Sequence, residues 1–214
     1  MRDIPVFTTE CGVGTLVLQE IPYSKTAYVK IQDASHPEAF IEECKDFCRM
    51  AGAEKVYAAG HVALETYPLH AVIVQMRRDL YDLQKTEATL VPVSEHTLRD
   101  WCQIYNEKMA SVPNAAYMTA VKGKQMLERA DGYFIYSGDR LLGIGMAAVD
   151  RIDAVASIVA GAGADIVLSL CQMLPGSQVT LDVAEENIKA VRLYERLGFV
   201  KTVELSRWYK IFCS

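Results

Sequence analysis

The sequence lacks several features that would define a function at once. No apolar stretch approaches the roughly 18 residues that a membrane span needs, and the N-terminus lacks the basic and apolar regions of a signal peptide. No block of Lys and Arg stands out, and the formal net charge is −5. A surface that binds duplex nucleic acid needs clustered cations. We therefore expect a cytoplasmic protein that binds neither nucleic acid nor membrane.

Histidine and cysteine do not show the spacing of metal sites. The four histidines are scattered along the chain. Of the six cysteines only Cys44 and Cys48 are close, and they fall one turn apart on the apolar stripe of a predicted helix. We interpret them as buried, reduced thiols. The sequence therefore predicts no structural metal.

The 214 residues do contain enough apolar sequence for a large core, since 51% are hydrophobic, while the charged fraction of 23% is ordinary. This composition argues against disorder. A polar connector, Arg77–Thr86, has little apolar periodicity. We place a domain boundary in it, which divides the chain into an N-terminal half, residues 1–85, and a C-terminal domain, residues 86–214.

Strands and helices alternate throughout, which predicts an α/β (α+β) fold with a mixed, mostly antiparallel central sheet flanked by helices. In the second half we expect a helix capped by Ser94, a helix over Tyr117–Arg129, and a final hairpin formed by Phe199–Leu205 and Trp208–Phe212. The first half reads strand, strand, helix, strand, short helix, strand. That order is a shorter version of the later portion of the second half, although no residue motif supports a repeat.

The most specific motif lies near the C-terminus. An apolar strand, Leu181–Val183, is followed by Asn187, Ala190, Leu193-Tyr194 and Gly198-Phe199. This pattern resembles the last strand–helix–strand motif of the GNAT N-acetyltransferases. The order of elements across residues 87–212 resembles that fold as well. Residues 1–85 resemble at most a truncated, degenerate copy of it.

The resemblance implies an enzyme that transfers an acetyl group from acetyl-CoA to an amine. Tyr194 would then be the general acid that protonates the leaving thiolate and would contact the cofactor. The alternative is that Tyr194 is a half-buried core residue. Asn187 stands where a strand ends and a helix begins, so its side chain can either cap the helix or reach a ligand amide.

In the same half a glycine turn, Gly161-Ala162-Gly163, stands directly before the helix that precedes this motif in the chain. The resemblance implies that Gly161, Ala162, Gly163 and Ala164 hold the CoA pyrophosphate with backbone N–H groups. The related enzymes carry a basic residue in this turn, whereas here Ala160 or Ile158 takes its place, depending on the register. Asp165 also adds a negative charge that repels pyrophosphate.

The resemblance further implies that two neighbouring strands part, so that the edge Ile152–Ala156, including Val155 and Ala156, binds the pantetheine arm. The general base is open between Asp150, Asp153 and Glu204, and we take Asp153 as the candidate. The acceptor would sit near the loop Ser111–Tyr117 and the last hairpin. Cys171 lies on a buried helix face and is not a candidate nucleophile.

Two other functions remain open beside the acetyltransferase. The missing basic residue and Asp165 favour a non-catalytic acyl-CoA-binding or regulatory module, whereas Asn187 and Tyr194 favour the enzyme. A purely structural protein with a vestigial site is the third possibility. For the enzyme we expect a small-molecule or peptide amine as substrate, acetyl-CoA as cosubstrate, no metal, and a monomer or homodimer.

Overall fold

The computed structural model describes residues 5–214, so the expectation about a signal peptide at residues 1–4 lies outside the described residues. The strands are β1 (Val6–Thr8), β2 (Gly12–Val17), β3 (Thr26–Ala34), β4 (Lys55–Ala59), β5 (Leu69–Asp79), β6 (Thr89–Pro92), β7 (Gly132–Ser137), β8 (Arg140–Ala148), β9 (Arg151–Ser157), β10 (Gln178–Ala184) and β11 (Val200–Cys213). The helices are α1 (Ile21–Ser24), α2 (Pro37–Met50), α3 (Leu98–Met109), α4 (Ala120–Arg129), α5 (Gly163–Met173) and α6 (Ile188–Arg196), with a 3₁₀ helix at Val62–Thr66.

The chain divides into two compact units. Unit 1 contains the chain up to Ile73 together with Glu204–Ser214, and unit 2 contains Val74–Val203. Strands β5 and β11 each contribute residues to both units. The boundary predicted between residues 85 and 86 concerns which parts of the chain fold as separate domains. It stays a prediction.

Unit 1 pairs β1 with β2 and β2 with β3 in antiparallel fashion, β3 with β4 in parallel, and β4 with the end of β11 in antiparallel fashion. Helix α2 begins at Pro37, whose fixed φ suits the first helical position, and it packs its apolar face on this sheet. Cys44 and Cys48 are buried there, as predicted. The core is formed mainly by Leu16, Ala27, Val29, Phe40, Ile41, Cys44, Cys48, Val56, Ala58 and Leu64.

Unit 2 orders its strands β6-β7-β8-β9-β10, with three antiparallel pairs followed by the parallel pair β9–β10. Helices α3 and α4 enclose a core with one face of the sheet, while α5 contacts β8 and β9. A Cβ added at Gly145 would lie 2.6 Å from Leu170 Cδ1, so the missing side chain lets α5 approach β8 closely. The α3–α4 core contains Trp101, Tyr105, Met118, Met126, Phe134, Ile144, Ala154 and Ala156.

The two units share an order of elements. In unit 1 two antiparallel pairs lead into β3, helix α2 and the parallel strand β4. In unit 2 two antiparallel pairs, β7–β8 and β8–β9, lead into β9, helix α5 and the parallel strand β10. Unit 1 has no counterpart of α3 and α4 among the described residues. The fold class is therefore the predicted one, a mixed, mostly antiparallel α/β fold flanked by helices.

Several predicted elements differ from the structure. The final hairpin is wrong, because residues 200–213 form one continuous strand. Its centre, Ser206-Arg207, contains none of the Gly, Pro or Asn residues that favour a tight turn. The first helix of unit 2 begins at Leu98 with Thr97 as its cap residue, and Ser94 instead forms a hydrogen-bonded turn in front of it. The second begins at Ala120, where Thr119 Oγ1 accepts a hydrogen bond from Lys122 N.

Candidate functional site

Strands β9 and β10 part after a very short parallel contact. They pair only at Arg151–Thr180 and Ile152–Leu181, although both strands continue beyond these pairs. The pairing of β9 with β8 shows the cause, since Met146 pairs with Ala154 and Ala147 pairs with Ile152. Asp153 is therefore an extra residue, a β-bulge, and bulges bend a strand and end its pairing. Beyond Ile152 the backbone edge of β9 that faces β10 has no strand partner among residues 5–214.

The corresponding strands of unit 1 do not form such an opening. β3 and β4 pair over five residues, Thr26–Lys30 with Lys55–Ala59, and β4 ends at the last of these pairs. Gly60 follows with a φ of 104°, and a Cβ there would lie 2.2 Å from the carbonyl oxygen of Ile31. Only glycine allows this close turn. Unit 1 therefore lacks the second, diverging strand that would line a cleft.

The glycine turn lies between β9 and α5. Gly161 has a φ of 86°, and a side chain there would meet no atom within 4 Å, so the turn is open on this side. Ala162 precedes the first helical residue and provides no side-chain cap. Among the described residues the first N–H groups of α5 therefore have no side-chain partner, which is the arrangement that suits an anion.

Asp165 is in the first turn of α5, as predicted, and its carboxylate is already engaged. Thr86 Oγ1 donates a hydrogen bond of 3.0 Å to Asp165 Oδ1. A second contact ties the same connector to α5, because Gln172 Nε2 donates to the carbonyl oxygen of Gln84. Sequence reasoning missed Thr86, because nothing local indicates a contact 79 residues away.

Asn187 caps helix α6. Its Oδ1 accepts a hydrogen bond of 3.3 Å from Ala190 N, so the capping alternative is the one observed. Its Nδ2 makes no hydrogen bond with residues 5–214. Because the cap engages only the side-chain carbonyl oxygen of Asn187, the side-chain NH₂ group is left for a ligand. The two predicted roles of Asn187, helix capping and ligand binding, are therefore compatible.

Tyr194 is on α6 and is 9% exposed. Its ring lies 5.7 Å from that of Phe199, while its hydroxyl has no hydrogen-bond partner among the described residues. The hydroxyl oxygen does not belong to the fully buried, unpaired polar atoms of the described residues, so it stays open to a ligand. Burial raises the pKa of Tyr194 to about 12. The phenol therefore stays protonated at neutral pH and can donate a hydrogen bond.

The candidate bases have different surroundings. Arg151 Nε donates a hydrogen bond of 2.6 Å to Asp153 Oδ1, and its Nη2 donates one of 2.6 Å to Asp182 Oδ2. Arg151 thus links the bulge on β9 to β10 at the point where the two strands part. Sequence reasoning missed Arg151 and Asp182, although Asp182 stands out between the apolar residues of its strand.

The other two carboxylates are placed less well. Asp150 is in the exposed β8–β9 turn, where its carbonyl oxygen accepts a hydrogen bond from Thr180 N. Glu204 belongs to unit 1, and a hydrogen bond from Arg207 lowers its pKa. Asp153 accepts a similar hydrogen bond from Arg151, but it lies at the bulge where β9 and β10 part. On that position Asp153 stays the candidate.

The remaining predicted residues are in the expected elements. Val155 is on the open part of β9 and Ala156 is buried against the α3–α4 core, while Gly163 and Ala164 begin α5. Cys171 is buried on α5, and burial raises its pKa to about 11, which suppresses the thiolate that a nucleophile needs. Among residues 5–214 no three His, Cys, Asp or Glu side chains are grouped as metal ligands. None of the helices in this range combines the length and apolarity of a membrane span.

The loop of residues 110–119, which connects α3 to α4, is anchored near its end beside β9. Asn106 exchanges two hydrogen bonds with the backbone of Met118, and the Met118 side chain packs with Ala154 and Ala156 of β9. Within this loop both amide atoms of Asn114 are buried without a hydrogen-bond partner in the described part of the chain. Such groups are costly unless a ligand or water satisfies them.

Comparison with known proteins identifies the fold. No protein-family model and no curated protein matches the sequence. A GCN5-related N-acetyltransferase from Sphaerobacter thermophilus superposes with a TM-score of 0.63 at 14% identity, covering 94% of this chain and 76% of that one. A functionally unknown conserved protein from Staphylococcus epidermidis gives 0.61 at 14% identity, covering 98% and 94%. A tandem GNAT protein from the clavulanic acid biosynthesis pathway gives 0.51 at 12% identity, covering 94% and 78%. The chain therefore has the GNAT fold over most of its length.

Proposed function

We propose that unit 2 transfers an acetyl group from acetyl-CoA to a primary amine of a small molecule or peptide. The observation that carries this proposal is the parting of β9 and β10 at the Asp153 bulge. It leaves a strand edge of unpaired backbone groups, which can bind the amides of a pantetheine arm as an added strand would. The uncapped N-terminus of α5 stands at the end of this edge and suits the pyrophosphate.

In the proposed reaction the amine nitrogen attacks the thioester carbonyl carbon. The C–N bond forms, the C–S bond breaks, and the sulfur leaves as the CoA thiolate. The amine proton passes to Asp153, directly or through water. The products are the acetylated amine and CoA, and the thiolate takes up one proton.

The hydroxyl of Tyr194 is the proposed donor to the departing sulfur. Its pKa of about 12 lies well above the roughly 8.5 of an ordinary thiol. Complete proton transfer from the phenol to the thiolate is therefore uphill. The main contribution of Tyr194 is a hydrogen bond that strengthens as charge develops on sulfur. The final proton is then supplied by solvent.

The loop beside β9 is the proposed acceptor site. The buried amide of Asn114 offers one donor group and one acceptor atom without partners. Both atoms are closed off from solvent in the described structure, so the loop has to open before a planar group with a donor and an acceptor, such as the amide of a peptide or aminoacyl compound, satisfies them. This favours acceptors in which the amine is close to an amide group.

A second function, acyl-CoA binding without turnover, is favoured by the absence of a basic residue from the turn. Two measurements separate the functions. Isothermal titration with acetyl-CoA should give one site per chain, because β3 and β4 of unit 1 are closed. Release of free CoA thiol, assayed over a panel of amines and aminoacyl amides, should then reveal turnover. Binding without turnover for any amine would favour the second function, and the absence of binding would refute both.

A further inference from the structure

The proposed cofactor carries several negative charges, but the turn that would hold its pyrophosphate contains no cation. The residues from Val159 to Gly163 are all Val, Ala or Gly. Backbone N–H groups and a helix dipole supply only partial charges. If unit 2 binds acyl-CoA as proposed above, full positive charges must come from another element. Helix α6 is the element that lies against the turn.

Contact between α6 and the turn is direct. A Cβ added at Gly163 would lie 2.8 Å from Leu193 Cδ2, so the Leu193 side chain fills the place beside the first residue of α5. Leu193 thereby fixes which side of α6 borders the turn. Viewed along the helix axis, with about 100° per residue, the buried side chains lie about 40° to 160° to one side of Leu193. They are Val191 and Tyr194 of α6 and the residue that follows the helix, Leu197.

Three cations lie on the other side of Leu193. By the same spacing Lys189, Arg192 and Arg196 fall about 40° to 100° from Leu193, away from the buried face. All three are exposed and make no ion pair or hydrogen bond within the described part of the chain. They form a continuous stripe along α6, which we call the α6 basic stripe.

Two of the nearby carboxylates are directed elsewhere. Glu185 accepts a hydrogen bond of 2.8 Å from Lys201, and Asp165 is held by Thr86. Glu186 and Glu195 each lie three residues along the chain from a cation of the stripe and offset part of its charge. The α6 basic stripe keeps a net positive charge, because its three cations outnumber these two carboxylates.

An independent feature of the same helix points to a ligand. Tyr194 is one residue away from Leu193, its side chain is nine-tenths buried, and its hydroxyl has no hydrogen-bond partner among the described residues. A phosphate group at the turn and a ligand atom at Tyr194 would both contact α6, one on each side of Leu193. The basic stripe and the free hydroxyl thus lie on either side of the contact between Leu193 and the turn.

We propose that Lys189, Arg192 and Arg196 bind the phosphate groups of acyl-CoA and take the place of the basic residue that is missing from the turn. This inference rests on the proposed function, because it requires the cofactor to lie between β9 and β10. It assigns recognition of the nucleotide end of the cofactor to α6. The thioester end remains with β9 and Tyr194.

The test compares two triple variants with the wild-type chain. In the first, Lys189, Arg192 and Arg196 are replaced by Gln. In the second, three exposed cations of the unit 1 sheet, Lys30, Lys55 and Lys210, are replaced by Gln. Both variants change the net charge by the same amount, so they separate local contacts from bulk charge. Calorimetry measures the binding of CoA, 3′-dephospho-CoA and pantetheine, the last of which has no phosphate.

We expect the stripe variant to bind CoA up to about 100-fold more weakly, since three exposed charge contacts contribute up to about fivefold each. Its pantetheine affinity and the CoA affinity of the control variant should stay within about twofold of wild type. Unchanged CoA affinity of the stripe variant would overturn the inference and leave the proposed function intact. An equal loss for pantetheine would also overturn it, because the effect would not depend on phosphate. If the wild-type chain bound no CoA at all, the proposed function itself would fail.

Discussion

Replacing Tyr194 by Phe removes one hydroxyl and leaves the ring in place. If that hydroxyl donates to the leaving sulfur, kcat should fall, since a positioned proton donor contributes about 10²–10⁴-fold. Because the phenol is a weak acid with a pKa of about 12, we expect the lower end of that range, about 10²-fold. The KM for acetyl-CoA should change little.

The same substitution should not destabilise the protein. The hydroxyl makes no hydrogen bond in the described structure, so Phe loses none, and the ring keeps its packing. We expect the free energy of unfolding to stay the same or to rise by up to about 1 kcal/mol. A core tyrosine with a hydrogen bond would behave in the opposite way.

Tyr133→Phe is the matched control. Its hydroxyl donates a hydrogen bond of 3.0 Å to the carbonyl oxygen of Ala130, away from the proposed site. This variant should lose about 0.5–1.5 kcal/mol of stability and keep its kcat. Denaturant unfolding and steady-state release of CoA thiol measure both quantities. Wild-type kcat in Tyr194→Phe would refute the catalytic role and direct attention to another donor, such as Tyr136 or water.

Three further predictions follow from the fold and the turn. Val149 is 73% exposed with a φ of 58°, and this backbone conformation strains a β-branched residue. Val149→Gly should therefore raise the free energy of unfolding by about 1 kcal/mol. The control Val203→Gly in β11 should lower it by a similar amount. Gly161→Val should weaken CoA binding by about tenfold or more. The control is Gly138→Val, at a hairpin glycine that also has a positive φ and open surroundings, which should strain the backbone and leave CoA binding unchanged. Equal CoA binding by both variants would exclude the turn as the phosphate site. A chain beginning at Thr86 loses β5 and contacts such as Leu80 N to the Ser177 carbonyl oxygen, so it should unfold at lower denaturant concentration than the full chain, and equal stability would mean that residues 86–214 fold independently.

The elements that sequence reasoning located best are those with strong local patterns. The sequence predicts a strand over Lys55–Ala59, which are the observed bounds of β4, and an amphipathic helix over Asn187–Leu197, which matches α6 to within one residue at each end. In both cases the apolar spacing and the residues at the ends agree with the structure. The motif from Leu181 to Phe199 indicated the fold for the same reason, because it is a continuous segment.

Features that depend on strand register were beyond local reasoning. The bulge at Asp153 exists because Met146 and Ala147 of β8 pair around it, and no single segment contains that information. The same holds for unit 1, where β3 and β4 pair over five residues up to the end of β4. The register thus opens the candidate site in unit 2, while the full pairing closes its counterpart in unit 1.

The burial and hydrogen-bond partners of the site's side chains were also not predictable from the sequence. The sequence placed Tyr194 on the correct helix, but only the packing of α6 shows that its ring is buried while its hydroxyl has no hydrogen-bond partner among the described residues. Arg151 was missed because its role is to link two carboxylates on different strands, 153 and 182. Side-chain partners that are distant in sequence leave no local pattern.

The most direct test of the account is hydrogen–deuterium exchange with and without acetyl-CoA. The central claim is that the cofactor adds to the open edge of β9 and to no equivalent edge in unit 1. Acetyl-CoA should therefore slow exchange of the amides in Asp153–Ser157 and at the start of α5, while the paired segments Thr26–Lys30 and Lys55–Ala59 should be unaffected. Protection confined to unit 1, or no protection of β9 at saturating acetyl-CoA, would contradict the account.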